Sequence, residues 1–121
     1  MPRCASVLFL HWRRTNQIEQ GSSAEILLYG ATVISWKYGD KDLLFLSSKA
    51  FLDGSKPVRG GIPIVFPCFG APSHPDHSKL TQHGFARNES WMFEQIVMDN
   101  DAGVSVRLSA FSNIVKSSLS N

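Results

Sequence analysis

The stretch WMFEQIVMDNDAGVSVRLSA, Trp91 to Ala110, decides the fold class. In its second half Val104, Val106, Leu108 and Ala110 alternate with Ser105, Arg107 and Ser109. A period of two lays the apolar set on one face of a strand and the polar set on the other, the pattern of an antiparallel sheet with one wet face. Trp91 to Met98, rich in aromatic and branched residues, reads as a second strand, and Asp99-Asn100-Asp101-Ala102-Gly103 between them as a turn.

Upstream the same period recurs and no long helical stripe interrupts it. Ala24 to Tyr29 is a short apolar run ending at Gly30, Ala31 to Trp36 resumes it, and Tyr38-Gly39-Asp40-Lys41-Asp42 punctuates it before Leu43 to Leu46. This predicts a meander of three short strands turning at the glycines. Ser73 to Thr81 is polar and longer than most hairpin connections. After Phe111 the chain drifts into serine and asparagine, which leaves the strongest strand as an unguarded edge. The class is all-β.

The bulk numbers narrow the function. A chain of 121 residues is at most one small domain, burying roughly two-thirds of its unfolded surface. Twelve basic residues against ten acidic ones leave a net charge of +2, which excludes a dedicated nucleic-acid binder. Cys4 and Cys68 are too few for a disulfide framework and read as free thiols in a reducing compartment. No stretch approaches the roughly 18 apolar residues that span a bilayer. The short run Val7 to Leu10 lacks the cleavage site of a secretory signal, while the late first acidic residue, Glu19, leaves a mitochondrial address open. The expected location is the cytoplasm, where the sequon Asn88-Glu89-Ser90 is a chance match.

Two segments carry polar groups on backbone that must be irregular. In KPVRGGIPIVFPCFG, Lys56 to Gly70, the pair Gly60-Gly61 permits positive φ and close approach, and Pro63 and Pro67 remove amide donors that a central strand needs. Arg59 is therefore expected on a fixed segment at a sheet edge or mouth, where a planar guanidinium can meet a carboxylate or phosphate. A surface arginine beside a turn is the plainer alternative. In TQHGFARN, Thr81 to Asn88, Gln82 can donate to and accept from a sugar hydroxyl. Alternation along an extended segment would set His83, Phe85 and Arg87 on one side. A histidine beside glycine is more often a structural hydrogen-bonder than a catalyst, and two arginines in two glycine-marked loops point to a small anionic ligand. His74-Pro75-Asp76-His77 with His83 offers metal donors but lacks a cysteine pair or a His-Glu-x-x-His helix, so no metal is assigned. Dinucleotide, P-loop and nucleophile-elbow motifs are absent.

Taken together, VRGGIPIVFPCFG followed by QHGFARNESW, with YGATVISWK and DLLFLSSKAFLDGSKPVRGG upstream, resembles the hexose-6-phosphate mutarotases, or glucose-6-phosphate 1-epimerases, of the aldose 1-epimerase family. The match runs from about Ser22 to Phe93 and resembles that family's amino-terminal portion. The resemblance implies an antiparallel β-sandwich of galactose mutarotase-like type, apparently truncated. It divides the chain into a partial domain over residues 22–111 with divergent ends, 1–21 and 112–121. It implies interconversion of the α and β anomers of a hexose 6-phosphate, glucose 6-phosphate first, without a cofactor. It assigns Arg59 and Arg87 to the phosphate, Gln82 to ring hydroxyls and His83 to a sugar contact. The family's acid histidine and base glutamate come from its other half and match no position here, so neither His83 nor Glu94 is assigned to catalysis. The expectation is a truncated relative that binds without the acid-base pair, a sugar-phosphate-binding module being the alternative. Its uncovered sheet edges invite self-association.

Overall fold

The computed structural model describes residues 6–12 and 21–110. Strands β1 (Val7–Trp12), β2 (Ser22–Leu27), β3 (Thr32–Tyr38) and β4 (Lys41–Asp42) form an antiparallel sheet in chain order. Strands β5 (Trp91–Asn100) and β6 (Gly103–Ala110) form an antiparallel hairpin closed by Asp101 and Ala102, with Asn100 paired to Gly103. The described residues contain no α-helix, only two single 3₁₀ turns at Pro75–His77 and Ala86–Asn88. The all-β, antiparallel reading holds. Along β6 the alternation holds as well, with Ser105 and Arg107 exposed between half-buried Val104, Val106 and Leu108.

Three local expectations are corrected. The apolar run at Val7, placed in the divergent end and given no strand, forms β1, paired along its length with β2 from Val7↔Leu27 to Trp12↔Ser22. The third meander strand is not Leu43 to Leu46. Pairing stops at Asp42, whose carboxylate accepts from the Ser35 hydroxyl (2.5 Å), the Leu44 amide (3.0 Å) and the Trp36 amide (3.2 Å). A side chain that gathers three donors turns the chain out of the ladder, leaving Leu46 an isolated bridge to Gly60. Strict alternation also fails in β3, because Glu25 pairs with Ser35 while Ile26 pairs with Val33. The extra residue, Ile34, makes a bulge, and Ile34 and Ser35 are buried in succession.

The core sits at the β2–β3 turn. Leu27, Ala31, Ile34 and Ala86 are the buried apolar residues, with Thr32 and Ser35 beside them. The hairpin is tied to the same turn by backbone bonds from Gly30 to the Glu89 carbonyl (2.6 Å) and from Trp91 to the Leu28 carbonyl (2.8 Å). At the far end the Trp12 indole donates to the Asn100 carbonyl (2.8 Å). Beyond this small centre the apolar surface is open. Phe9, Phe45, Phe66, Phe69, Met92 and Ile96 are all more than half exposed.

Candidate functional site

The two arginine-bearing segments form one knitted unit on the start of β3. In the first, Ile62 pairs with Val33 in both directions, its amide donating to the Val33 carbonyl at 2.9 Å and the Val33 amide returning at 3.1 Å. Gly61, at φ +67°, is required there, since a Cβ at that position would run into the Val33 carbonyl oxygen. The chain then passes Pro63 without a strand and reaches the cis Phe66–Pro67 peptide. The Phe66 carbonyl accepts from the amides of Phe85 (3.0 Å) and Ala86 (3.4 Å), which joins the second segment to the first. Gly84, at φ +80°, fits against Phe66 where a Cβ would strike that same carbonyl. The rings of Phe66 and Phe85 meet edge to face, their centroids 5.8 Å apart.

Within this unit the second segment is curled, not extended, which corrects the expected one-sided row of His83, Phe85 and Arg87. The Gly84 amide returns to the Thr81 carbonyl (3.0 Å), His83 takes φ +66°, and Ala86–Asn88 winds a 3₁₀ turn. The Arg87 guanidinium folds back to donate from Nη2 to the Gln82 carbonyl (3.0 Å), and the Asn88 amide reaches the Thr81 hydroxyl (3.2 Å). Gln82, His83 and Arg87 are thus brought together by their own backbone. Arg59 stands on the neighbouring segment, anchored where its carbonyl accepts from the Ser47 amide (3.0 Å).

The polar groups differ in how far they are already committed. The Arg59 side chain is exposed and has no hydrogen bond or ion pair with the described residues. Arg87 is half-buried, and its Nε is shielded from solvent with no partner among the described residues. The Gln82 side chain is exposed. His83 is locked: its amide donates to the Gly70 carbonyl (2.8 Å), and the Gly70 amide donates back to its Nδ1 (2.9 Å). With Nδ1 accepting, the neutral imidazole carries its proton on Nε2, a fixed donor. The exposed Phe69 ring lies 4.9 Å from the imidazole.

Tyr29 joins this neighbourhood without having been read as a site residue. Burial pushes its hydroxyl above the ordinary phenol value, the charge of Glu89 adds to that, and Arg87 opposes it. In sequence Tyr29 only closes an apolar run, and no local pattern distinguishes it. The His74 to His77 loop is a different matter. His74 Nδ1 caps its 3₁₀ turn by accepting from the Asp76 amide (3.1 Å), and its ring lies 5.6 Å from that of His77. Among the described residues no three His, Cys, Asp or Glu side chains converge as metal ligands. Cys68 is a free, half-buried thiol, and Cys4 lies outside the described residues. No helix among the described residues is long and apolar enough to cross a membrane.

The chain is similar to several known proteins. The chain is 52% identical over 79 residues to a protein of Cenchrus ciliaris named "Putative glucose-6-phosphate 1-epimerase", an alignment covering 64% of this chain and 21% of that one. It is 35% identical over 79 residues to a protein of the same name from Escherichia coli K12, covering 64% of this chain and 26% of the relative. Among solved structures, a protein described as a "putative mutarotase (YeaD)" from Salmonella typhimurium superposes with a TM-score of 0.63 at 25% identity, over 93% of this chain and 41% of that one. The chain therefore spans about a quarter or less of these curated relatives and under half of the solved structure. The sequence model of the aldose 1-epimerase family runs over residues 14–113, most of the chain and further toward the amino end than the motifs alone reached, and this protein belongs to that family.

Proposed function

We propose that this chain grips a hexose 6-phosphate, glucose 6-phosphate first, as the substrate-binding portion of a glucose-6-phosphate 1-epimerase. The observation that carries the reading is the knitted unit itself. Two arginine segments share the Phe66 carbonyl and the Gly70–His83 pair, while the Arg59 guanidinium and Arg87 Nε keep donors to spare. Arg59 and Arg87 take the phosphate, whose oxygens reward charge-assisted bonds from a guanidinium. Gln82 takes ring hydroxyls, and the fixed Nε2–H of His83 donates to a sugar oxygen. The names of the relatives support the phosphorylated sugar as ligand. A free, half-buried thiol at Cys68 supports a reducing compartment, the cytoplasm, as the place of action.

Anomer exchange needs one group to take the proton from the anomeric hydroxyl and another to deliver a proton to the ring oxygen. The ring C–O bond breaks to give the aldehyde, C1 rotates, and the ring recloses with the protons returned. Nothing is oxidised or reduced, so no cofactor is called for. The residues assigned here bind and orient; none is assigned as acid or base. Binding substrate and transition state alike gives affinity without acceleration. The 121-residue chain is therefore proposed to act as a sugar-phosphate-binding module.

The test is NMR exchange between the α and β anomers of glucose 6-phosphate, with and without the purified chain, alongside a binding titration. Saturable binding that Arg59→Ala weakens about tenfold or more is expected, that being the scale of losing hydrogen bonds to a charged group. No acceleration of exchange is expected. Acceleration abolished by Arg59→Ala would overturn the assignment of binding alone. A folded chain whose stability is indifferent to the sugar phosphate, with Arg59→Ala and Arg87→Ala silent, would reduce it to a structural β-domain.

A further inference from the structure

We infer that Phe69 is the platform for the sugar ring, its open phenyl face taking the C–H face of a pyranose beside the fixed Nε2–H of His83. The inference rests on the sugar-phosphate reading above and deepens it, because the groups assigned there meet only polar atoms of the ligand. Phe69 is 84% exposed, more than any other large apolar side chain described. Single exposed apolar residues are common; Phe69 differs in what stands beside it. Its ring centroid lies 4.9 Å from that of the His83 imidazole, the two planes tilted by 52°. The next residue, Gly70, exchanges two bonds with His83, so backbone holds phenyl and imidazole to one another. A Cβ on Gly70 would meet nothing within 4 Å, so the space next to the phenyl is open. His83 in turn follows Gln82, whose carbonyl accepts from Nη2 of Arg87. A guanidinium, a fixed N–H donor and an open aromatic face thus adjoin in that order.

A hexose 6-phosphate presents a matching set of groups. Its phosphate hangs at one end, its hydroxyls stand round the rim of the ring, and the axial hydrogens of a gluco ring make its faces apolar. Oxygens on the same carbons leave those C–H bonds slightly positive, while the face of a phenyl ring is negative. Stacking face to face desolvates few hydroxyls, since they point outward in the plane of the ring. They stay free for Gln82 and for Nε2 of His83. Ligand sites combine apolar and aromatic lining with a few placed polar groups in this way. The platform recognises the closed pyranose and contributes nothing to the binding of a bare phosphate, which has no such face.

NMR titrations of the full chain with glucose 6-phosphate and with inorganic phosphate test this, repeated on Phe69→Leu and Phe69→Trp. Leucine keeps an apolar side chain without a flat face, and tryptophan keeps the face. The position is exposed, and an unchanged far-ultraviolet circular dichroism spectrum checks each fold. The parent should bind glucose 6-phosphate more tightly than phosphate, with C–H protons of the sugar ring moved upfield by the ring current of the phenyl. Phe69→Leu should weaken glucose 6-phosphate about fivefold, abolish the upfield shift and leave phosphate binding unchanged. Phe69→Trp should retain all three. A parent that binds both ligands equally, or a bound sugar with no upfield shift, would overturn the platform and leave the arginine grip standing. So would a Phe69→Leu chain that binds glucose 6-phosphate as the parent does, or that loses phosphate to the same degree. A parent that binds neither ligand would overturn the grip and the platform together.

Discussion

His83 shows how much of the site is decided at one residue. Its backbone stands in the left-handed region, which histidine enters more readily than most side chains, and such a conformation persists only where its surroundings hold it. Here the reciprocal bonds with Gly70 hold it, and Gly84 beside it lets the chain approach Phe66. Gly84→Ala is the sharpest test of that packing. A left-handed alanine costs roughly 1–2 kcal/mol before any clash, and its Cβ would meet a backbone carbonyl that cannot swing aside. The expected outcome is a lower urea midpoint, together with loss of glucose 6-phosphate binding as the curl carrying Gln82, His83 and Arg87 separates from the proline run. A variant that binds as tightly as the parent would show that the curl does not position the ligand groups.

Among the elements, the end of β3 and the turn into β4 depend on Asp42. The Ser35 hydroxyl, first, and the Leu44 and Trp36 amides hydrogen-bond its carboxylate and hold its pKa below the ordinary 3.8. A carboxyl whose folded pKa is depressed adds stability above its unfolded pKa, and that stability is lost as pH falls through the folded value. Thermal melts should therefore show an acid-side loss setting in below 3.8. Asp42→Asn should flatten that limb while lowering the melting temperature near neutral pH, because an amide cannot accept all three bonds as a carboxylate does. A variant with an unchanged acid limb would remove Asp42 from the account. This interaction also explains why the strand expected over Leu43 to Leu46 does not form. Apolar character favours a strand there, but local side-chain bonds compete with the ladder and win.

For the molecule as a whole, four apolar residues are buried among those described, and many large apolar side chains are exposed. Leu27 is fully buried, and Leu27→Ala should cost about 2–5 kcal/mol. Small domains have roughly 5–15 kcal/mol in all, so this change should lower the urea midpoint markedly; a transition of unaltered midpoint would place the stabilising contacts elsewhere. The sequence by itself determined the all-β class, the β5–β6 hairpin and its turn, the breaks at Gly30 and Gly39, and the two glycine-marked arginine segments. Each rests on local chemistry: period-two alternation, a glycine's freedom at positive φ, a proline's missing donor. Tertiary structure decided the rest. That Val7 begins a strand depends on β2 lying beside it, a partner some twenty residues away along the chain. That Ile34 and Ser35 are buried together depends on a bulge, and a bulge exists only in a pair of strands. The curl of residues 81–88 depends on Phe66 and Gly70, and Tyr29 comes near Arg87 because the β2–β3 connection pairs with residues 89–91, Tyr29 bridging Ser90. Contacts of that kind join residues far apart in the chain, and a side chain's own type carries no record of which distant backbone will meet it.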